Sequence, residues 1–346
     1  MDAILSVWAR KGQIFHFTGY PALPDDPASS YFIVAPFRHA PQHIRIYKGS
    51  IQKGFPSQDN IQPLFEKSLR REIPVKETSA LDFKSGVNLA MEQIRAGKLS
   101  KVVLSAIKVV RESLSFSRLM NAFDALRHQH PDDFVCLLQS SEHGVWLGAS
   151  PELLLAYEDK TVFSVALAGT RPVSEDHEAE IPWPDKEKAE QEFVTRYIEK
   201  ILVDKGVKGL RIHGPFTRKT NTLEHLCTEF SGYYSRVTPA DIIQLALDLH
   251  PTPAVGGVAP EAACALTEKL EKHDRSLYTG FWGFLTPSQG ALFVNIRCFQ
   301  AGAESVILYA GAGITAQSRP EEEWIEVRRK MRTAASALKP VEAHGQ

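Results

Sequence analysis

Long apolar runs are missing from this chain: no stretch approaches the roughly 18 consecutive residues that a membrane-spanning helix needs. The opening MDAILSVWARKGQIFHF carries neither a basic leader nor an extended apolar segment. A cytosolic protein with no membrane partner is expected. Cysteine is scarce, and Cys136, Cys227, Cys264 and Cys298 stand far apart without a CxxC pair. That pattern fits buried thiols in a reducing compartment rather than a disulfide framework or a zinc site. An excess of one charge is also absent: 40 Lys and Arg face 41 Asp and Glu, for a formal net charge of -1. No global field recruits nucleic acid, so any recruitment of a charged ligand falls to a local site. There is no internal repeat, no low-complexity tract and no HExxH pair around His225 or His250.

What is present is ordinary globular material, 43% hydrophobic and 23% charged over 346 residues, enough for one large domain or two smaller ones. Residues 1–80 mix short β-like runs, YFIVAPF and HIRIYKG, with Pro and Gly punctuation. SALDFKSGVNLAMEQIRAGKL repeats apolar residues at helical spacing (Val87, Ala90, Ile94), KVVLSAIKVV follows as a strand, and SFSRLMNAFDALRHQHP predicts a helix closed by Pro131. DFVCLLQS, GVWLGASPELLLAYE and TVFSVALAGTRP predict an antiparallel meander. After an acidic loop over 173–184, DKEKAEQEFVTRYIEKILVD is strongly amphipathic. PADIIQLALDLHP and PEAACALTEKLEKHD predict helices, TGFWGFLTP, GALFVNIRCFQ and SVILYAGAGI predict strands, and a last helix is expected over about 321–337. Strands in blocks with helices between them indicate an α+β fold, antiparallel sheets flanked by helices. We expect 1–80 to be a strand-rich part of the fold and 81–340 the core, within one integrated domain.

Two carboxylate pairs have i, i+3 spacing, which puts both side chains on one helical face: Glu187 with Glu190, and Glu323 with Glu326. Each pair is either a solvated face or part of a hard-cation site completed by waters and an anionic ligand. Small residues at Ala310, Gly311, Ala312 and Gly313 after an apolar strand would let backbone N–H groups approach a ligand. A phosphate cradle would want positive charge at the next helix, whereas Arg319 is followed by Glu321, Glu322 and Glu323. Arg297, between apolar neighbours, either meets solvent at a strand edge or grips a carboxylate in a pocket. Lys101 and Glu152 are an acid–base candidate or, blandly, surface; His225 is a ligand contact or a hydrogen-bonded structural histidine.

Nine ordered stretches, KVVLS, LGASPELLL, ALAGTRP, KEKAEQEFV, LHPTPAVGG, DRSLYTGFWG, NIRCF, YAGAGI and SRPEEEWIEV, together resemble the chorismate-utilising enzymes over about residues 85–337. That family includes isochorismate, salicylate, anthranilate and aminodeoxychorismate synthases. The resemblance implies two large antiparallel sheets packed together, chorismate as substrate, and Mg²⁺ held by Glu190 and Glu326 with Glu187 and Glu323 in support. It implies that Arg297, with backbone groups near Ala310, Gly311 and Gly313, holds one substrate carboxylate. His225 and Ala168-Gly169-Thr170 would line the ring.

Within the family, Lys101 matches the Lys that acts as general base on water, and Glu152 the acid that protonates the departing C4 hydroxyl. A Lys accepts a proton only as the neutral amine and a Glu donates one only when protonated, and desolvation favours both forms. Ala168 stands where aminodeoxychorismate synthases carry a Lys nucleophile, which alanine cannot replace. The resemblance therefore implies isochorismate synthase, as a monomer without a glutaminase subunit; salicylate synthase and a non-catalytic chorismate binder are the alternatives. Menaquinone and siderophore pathways both stay open, with a lean to the former. Three features depart from the family pattern: Ala106 where an Arg is usual, Ala189 and Gln191 where a His accompanies the metal Glu, and a proline shifted to Pro260.

Overall fold

The computed structural model describes residues 3–38, 43–173, 182–219 and 223–338. In chain order the first elements are β1 (Ile4–Arg10), β2 (Gln13–Pro21), β3 (Ser30–Ala35), β4 (Arg45–Lys53), α1 (Gln58–Leu69), α2 (Ala80–Arg95), β5 (Lys101–Val110) and α3 (Phe116–Gln129). Then come β6 (Phe134–Ser140), β7 (Gly144–Ser150), β8 (Leu153–Glu158), β9 (Thr161–Pro172), α4 (Asp185–Asp204), β10 (Lys208–Lys219), β11 (Leu223–Tyr233) and α5 (Pro239–Leu249). The chain finishes with β12 (Gly257–Val258), α6 (Pro260–Leu270), β13 (Phe281–Leu285), β14 (Gln289–Val294), β15 (Cys298–Ala301), β16 (Val306–Ile314) and α7 (Pro320–Ser336).

Among the described residues 16 strands form one sheet in the order β10-β11-β9-β8-β14-β13-β3-β4-β2-β1-β6-β7-β15-β16-β5-β12, paired antiparallel throughout. An open sheet this wide curls on itself, and the side chains show how. An aromatic cluster including Trp8, Phe32, Phe134, Trp146, Trp282 and Phe293 draws residues from both halves and fills the space between them. A second cluster packs one outer face under α1, α2, α3 and α7, with Val102, Leu104 and Ala106 pointing into it. A third packs the other outer face under α4 and α5, through Val194, Ile198, Ile242 and Ala246. The α+β expectation is met as helix, sheet, sheet and helix layers.

Local chemistry sets the element ends. Ser79 and Thr238 cap α2 and α5 by accepting from the N–H groups of Asp82 and Asp241. Pro320 opens α7, with Glu321, Glu322 and Glu323 in its first turn, where carboxylates suit the helix dipole.

Several expectations need correction. GVWLGASPELLLAYE is two strands, because Pro151 lacks the N–H a ladder requires and the chain turns there. GALFVNIRCFQ also breaks, between β14 and β15, where Arg297 takes a left-handed φ of 50°. SVILYAGAGI is a strand as expected, with 310–313 in the interior of β16. Helix α1, which carries Pro63 inside it, and the β10–β11 hairpin were not anticipated. The acidic loop falls largely at 174–181, outside the described residues.

Candidate active site

A cavity of about 700 Å³ opens where β5, β9, β11 and β16 approach α4 and α7. Lys101, Glu152, Ala168, Gly169, Glu187, Glu190, His225, Arg297, Ala310, Gly311, Gly313 and Glu326 all line it. Of the remaining expected site residues, Thr170 pairs with His225 in the β9–β11 ladder, and Glu323 is buried in the first turn of α7 but is not among the lining side chains.

Lys101 is the first residue of β5 and only 2% exposed. Its Nζ lies 3.5 Å from Glu190 Oε2. The glycines of β16 explain how this long side chain fits. A Cβ added at Gly313 would sit 2.9 Å from Lys101 Cε, 3.4 Å from its Nζ and 3.5 Å from Glu190 Oε1. Gly313 thus leaves the volume in which the amine meets the carboxylate. On the other side Gly257, at φ +147°, pairs with Val102, and a Cβ there would collide with the Lys101 carbonyl. β16 pairs with β15 as far as Leu308, so among the described residues one edge of β16 has no strand beside it from Tyr309 onward. Gly311 C=O faces that edge, since it accepts from Lys330 Nζ at 3.1 Å. The N–H and C=O of one strand residue share a side, so the Gly311 and Gly313 amides lie along the same edge.

The β9–β11 ladder is bulged at Gly169, because His225 pairs with Thr170 but Leu226 with Ala168. Gly169 has φ +66°, and its missing Cβ would stand 3.1 Å from Glu187 Cβ. A glycine here lets the first turn of α4 close on the strand. One turn on, Gln191 is buried and stitches helix to sheet: its Oε1 accepts from Ala168 N–H at 2.9 Å, and its Nε2 donates to Ala166 C=O at 3.1 Å and Thr228 Oγ1 at 2.9 Å. That is the structural use of the residue that departs from the family's His. Ala106, the other departure, is fully buried against the outer-face core, where a guanidinium would have to be desolvated. Ala259 caps α6 in a left-handed conformation ahead of Pro260.

Glu187 and Glu190 of α4 line the same cavity as Glu326 of α7, and Glu326 pairs with Lys330 at 2.7 Å. Among the described residues no three His, Cys, Asp or Glu side chains converge closely enough to hold a metal unaided. The donor set nevertheless suits a hard cation that keeps waters and an anionic ligand: all oxygen, all carboxylate, with Glu187 Oε2 buried and lacking a hydrogen-bond partner.

Glu152, which also lines the cavity, follows Pro151 and is buried. Thr252 Oγ1 donates to its Oε1 at 3.4 Å. Desolvation pushes its pKa up from 4.5 to about 7, against the smaller opposing pull of Thr252, Lys101, Lys330 and Arg297. Arg297 donates from Nη1 to Asp133 Oδ2 at 3.1 Å, and its Nη2 lies 3.1 Å from His225 Nε2. Burial, then the Arg297 charge, pull His225 down to about 3, so it is neutral. Since a guanidinium only donates, His225 Nε2 is the acceptor.

Sequence reasoning missed Lys330, Tyr278, Tyr309, Gln191 and Asp133. Lys330 was within reach, because it stands four residues after Glu326, ion-pair spacing on a helix. Tyr278, whose hydroxyl is held protonated by burial, stacks on Tyr309 at 5.5 Å between ring centroids; both lie in stretches that carry the resemblance, DRSLYTGFWG and YAGAGI, but their spacing assigns them no role.

Residues 36–339 match the family described as chorismate binding enzyme, and the chain belongs to it. It is 33% identical over 274 residues to the vibriobactin-specific isochorismate synthase of Vibrio cholerae, covering 76% of this chain and 68% of that protein. It is also 33% identical over 289 residues to isochorismate synthase DhbC of Bacillus subtilis, covering 77% and 69%. The solved structure of MenF, the menaquinone-specific isochorismate synthase from Escherichia coli, superposes with a TM-score of 0.77 at 21% identity, over 97% of this chain and 89% of that one, a likeness of fold.

Proposed function

We propose that this chain is an isochorismate synthase that moves the hydroxyl of chorismate from C4 to C2 without a covalent intermediate. The observation that carries this is one cavity lined by a buried Lys101 and a buried Glu152 whose pKa desolvation raises to about 7. Similarity to relatives named isochorismate synthases supports the same assignment.

In the proposed step Lys101 acts as general base, taking a proton from water while the water oxygen bonds to C2. The ring double bonds shift, the C4–O bond breaks, and Glu152 protonates the departing oxygen. One water enters and one leaves, so the net change is an isomerisation. Arg297 binds one substrate carboxylate with its fork, and His225 with Ala168, Gly169 and Thr170 borders the ring. Ala168 offers no nucleophile, which argues against a covalent amine-transfer route. Glu190 and Glu326 would hold Mg²⁺, with Glu187 and Glu323 behind them. When bound there, the ion supplies positive charge against the other carboxylate. Free, unpaired cysteines support a cytosolic setting, and the 1–80 strands at the middle of the sheet support a single integrated domain. With water as the nucleophile, no glutaminase subunit is needed to supply ammonia, and we propose that the chain acts as a monomer.

The test is isotopic. Turnover in ¹⁸O-labelled water with Mg²⁺ should place label at the C2 hydroxyl, incorporate no ammonium and release no stoichiometric pyruvate in a lactate dehydrogenase coupled assay. Lys101→Ala should lower turnover by at least about 10²-fold. Pyruvate released in step with chorismate loss would make the protein a salicylate synthase or an amine-forming relative, and unlabelled product would reject water attack.

A further inference from the structure

The guanidinium of Arg297 is held from behind before any ligand arrives. Asp133 ends the turn that joins α3 to β6, its N–H bonded to the His130 carbonyl at 3.2 Å, and its carboxylate is buried. Asp133 Oδ2 receives Arg297 Nη1 at 3.1 Å and lies 3.2 Å from His130 Nδ1. With Nη2 against His225 Nε2 at 3.1 Å, both ends of the fork have a protein acceptor. The arginine arrives from a left-handed residue, φ 50°, a conformation a non-glycine residue adopts only when its surroundings hold it there. A guanidinium has five N–H groups. Two are directed at Asp133 and His225, which fixes the plane of the fork and leaves the others for a ligand in the cavity that Arg297 lines.

We propose that Asp133, steadied by His130, is a positioning residue that presets Arg297 for a substrate carboxylate. This rests on the assignment of Arg297 as the carboxylate clamp. An ungoverned Arg in a cavity would sample several rotamers, and ordering it on binding would cost affinity. Asp133 touches no reacting atom, so its loss should weaken substrate capture without slowing chemistry to the same degree.

The experiment is a double-mutant cycle on steady-state isochorismate formation with chorismate as the varied substrate. Asp133→Ala should raise KM about ten-fold, the scale of a lost hydrogen bond to a charged group, and leave kcat within about three-fold. Asp133→Asn, which keeps an acceptor oxygen but not the charge, should fall between wild type and Ala, and carries the test if the Ala variant folds poorly. Arg297→Ala should raise KM further, and adding Asp133→Ala to it should change little, because the residue to be positioned is gone. Equal Asp133→Ala effects in the two backgrounds would overturn the proposal, as would a fall in kcat at constant KM. An unchanged KM in Arg297→Ala would instead overturn the clamp assignment.

Discussion

Glu152 offers a test that needs no substrate. Its pKa is raised by burial from 4.5 in the unfolded chain to about 7 in the folded one. The sign follows from linkage: a raised pKa means that the native state binds the proton more tightly, so the contribution is fully present below pH 4.5 and lost as pH rises through about 7. Between pH 5 and pH 8.5 that single group should cost about 2.5 kcal/mol of native stability. A chain of this length has an unfolding entropy near 0.7 kcal/mol/K, so the cost corresponds to roughly 3 °C in melting temperature. Glu152→Gln keeps the shape and cannot ionise. Scanning calorimetry of wild type and variant at both pH values would cancel every other titrating group, since only the difference between the two proteins is read. The gap in melting temperature should shift by roughly 3 °C in favour of the variant at pH 8.5. Wild-type kcat should decline over the same window as the acid is lost. A gap that does not move with pH would mean that Glu152 is not a buried neutral carboxyl, and would remove it as the acid.

Glu190→Ala or Glu326→Ala should weaken Mg²⁺ binding in direct calorimetric titration by at least about ten-fold, each deleting an oxygen donor; unchanged curves in both variants would sink the metal assignment. Gly313→Ala and Gly257→Ala should fail in different ways. The first crowds only the flexible end of Lys101, at 2.9 Å from Cε, so stability should hold within about 1 kcal/mol while turnover falls by at least about ten-fold. The second meets backbone at φ +147° and should lower stability by about 2 kcal/mol or more, read by thermal or urea unfolding.

The helices other than α1 were legible in the sequence because amphipathic periodicity is a local property. DKEKAEQEFVTRYIEKILVD coincides with α4 from first residue to last. Helix α1 escaped because Pro63 reads as a breaker, yet its Ile61 and Phe65 are buried against the outer-face core, and packing overrode propensity. The break at Pro151 was legible, since a proline inside an apolar run lacks the N–H a ladder needs, whereas the break at Arg297 was not, since a left-handed residue other than glycine leaves no local signature.

What the sequence by itself determined was the α+β character, the chemistry-bearing side chains and, through nine ordered stretches, the family. Those depend on residue identity and short spacing, and the chain states both. Tertiary structure alone decided that Lys101 and Glu190, 89 positions apart, stand 3.5 Å from one another, and that Glu152 is dry enough to stay protonated. It also decided what the glycines do. At 311 and 313 they are clearance within a strand, because the space they leave is filled by Val103, Leu104 and Lys101 of β5, Glu190 of α4 and Tyr278, which no local window contains.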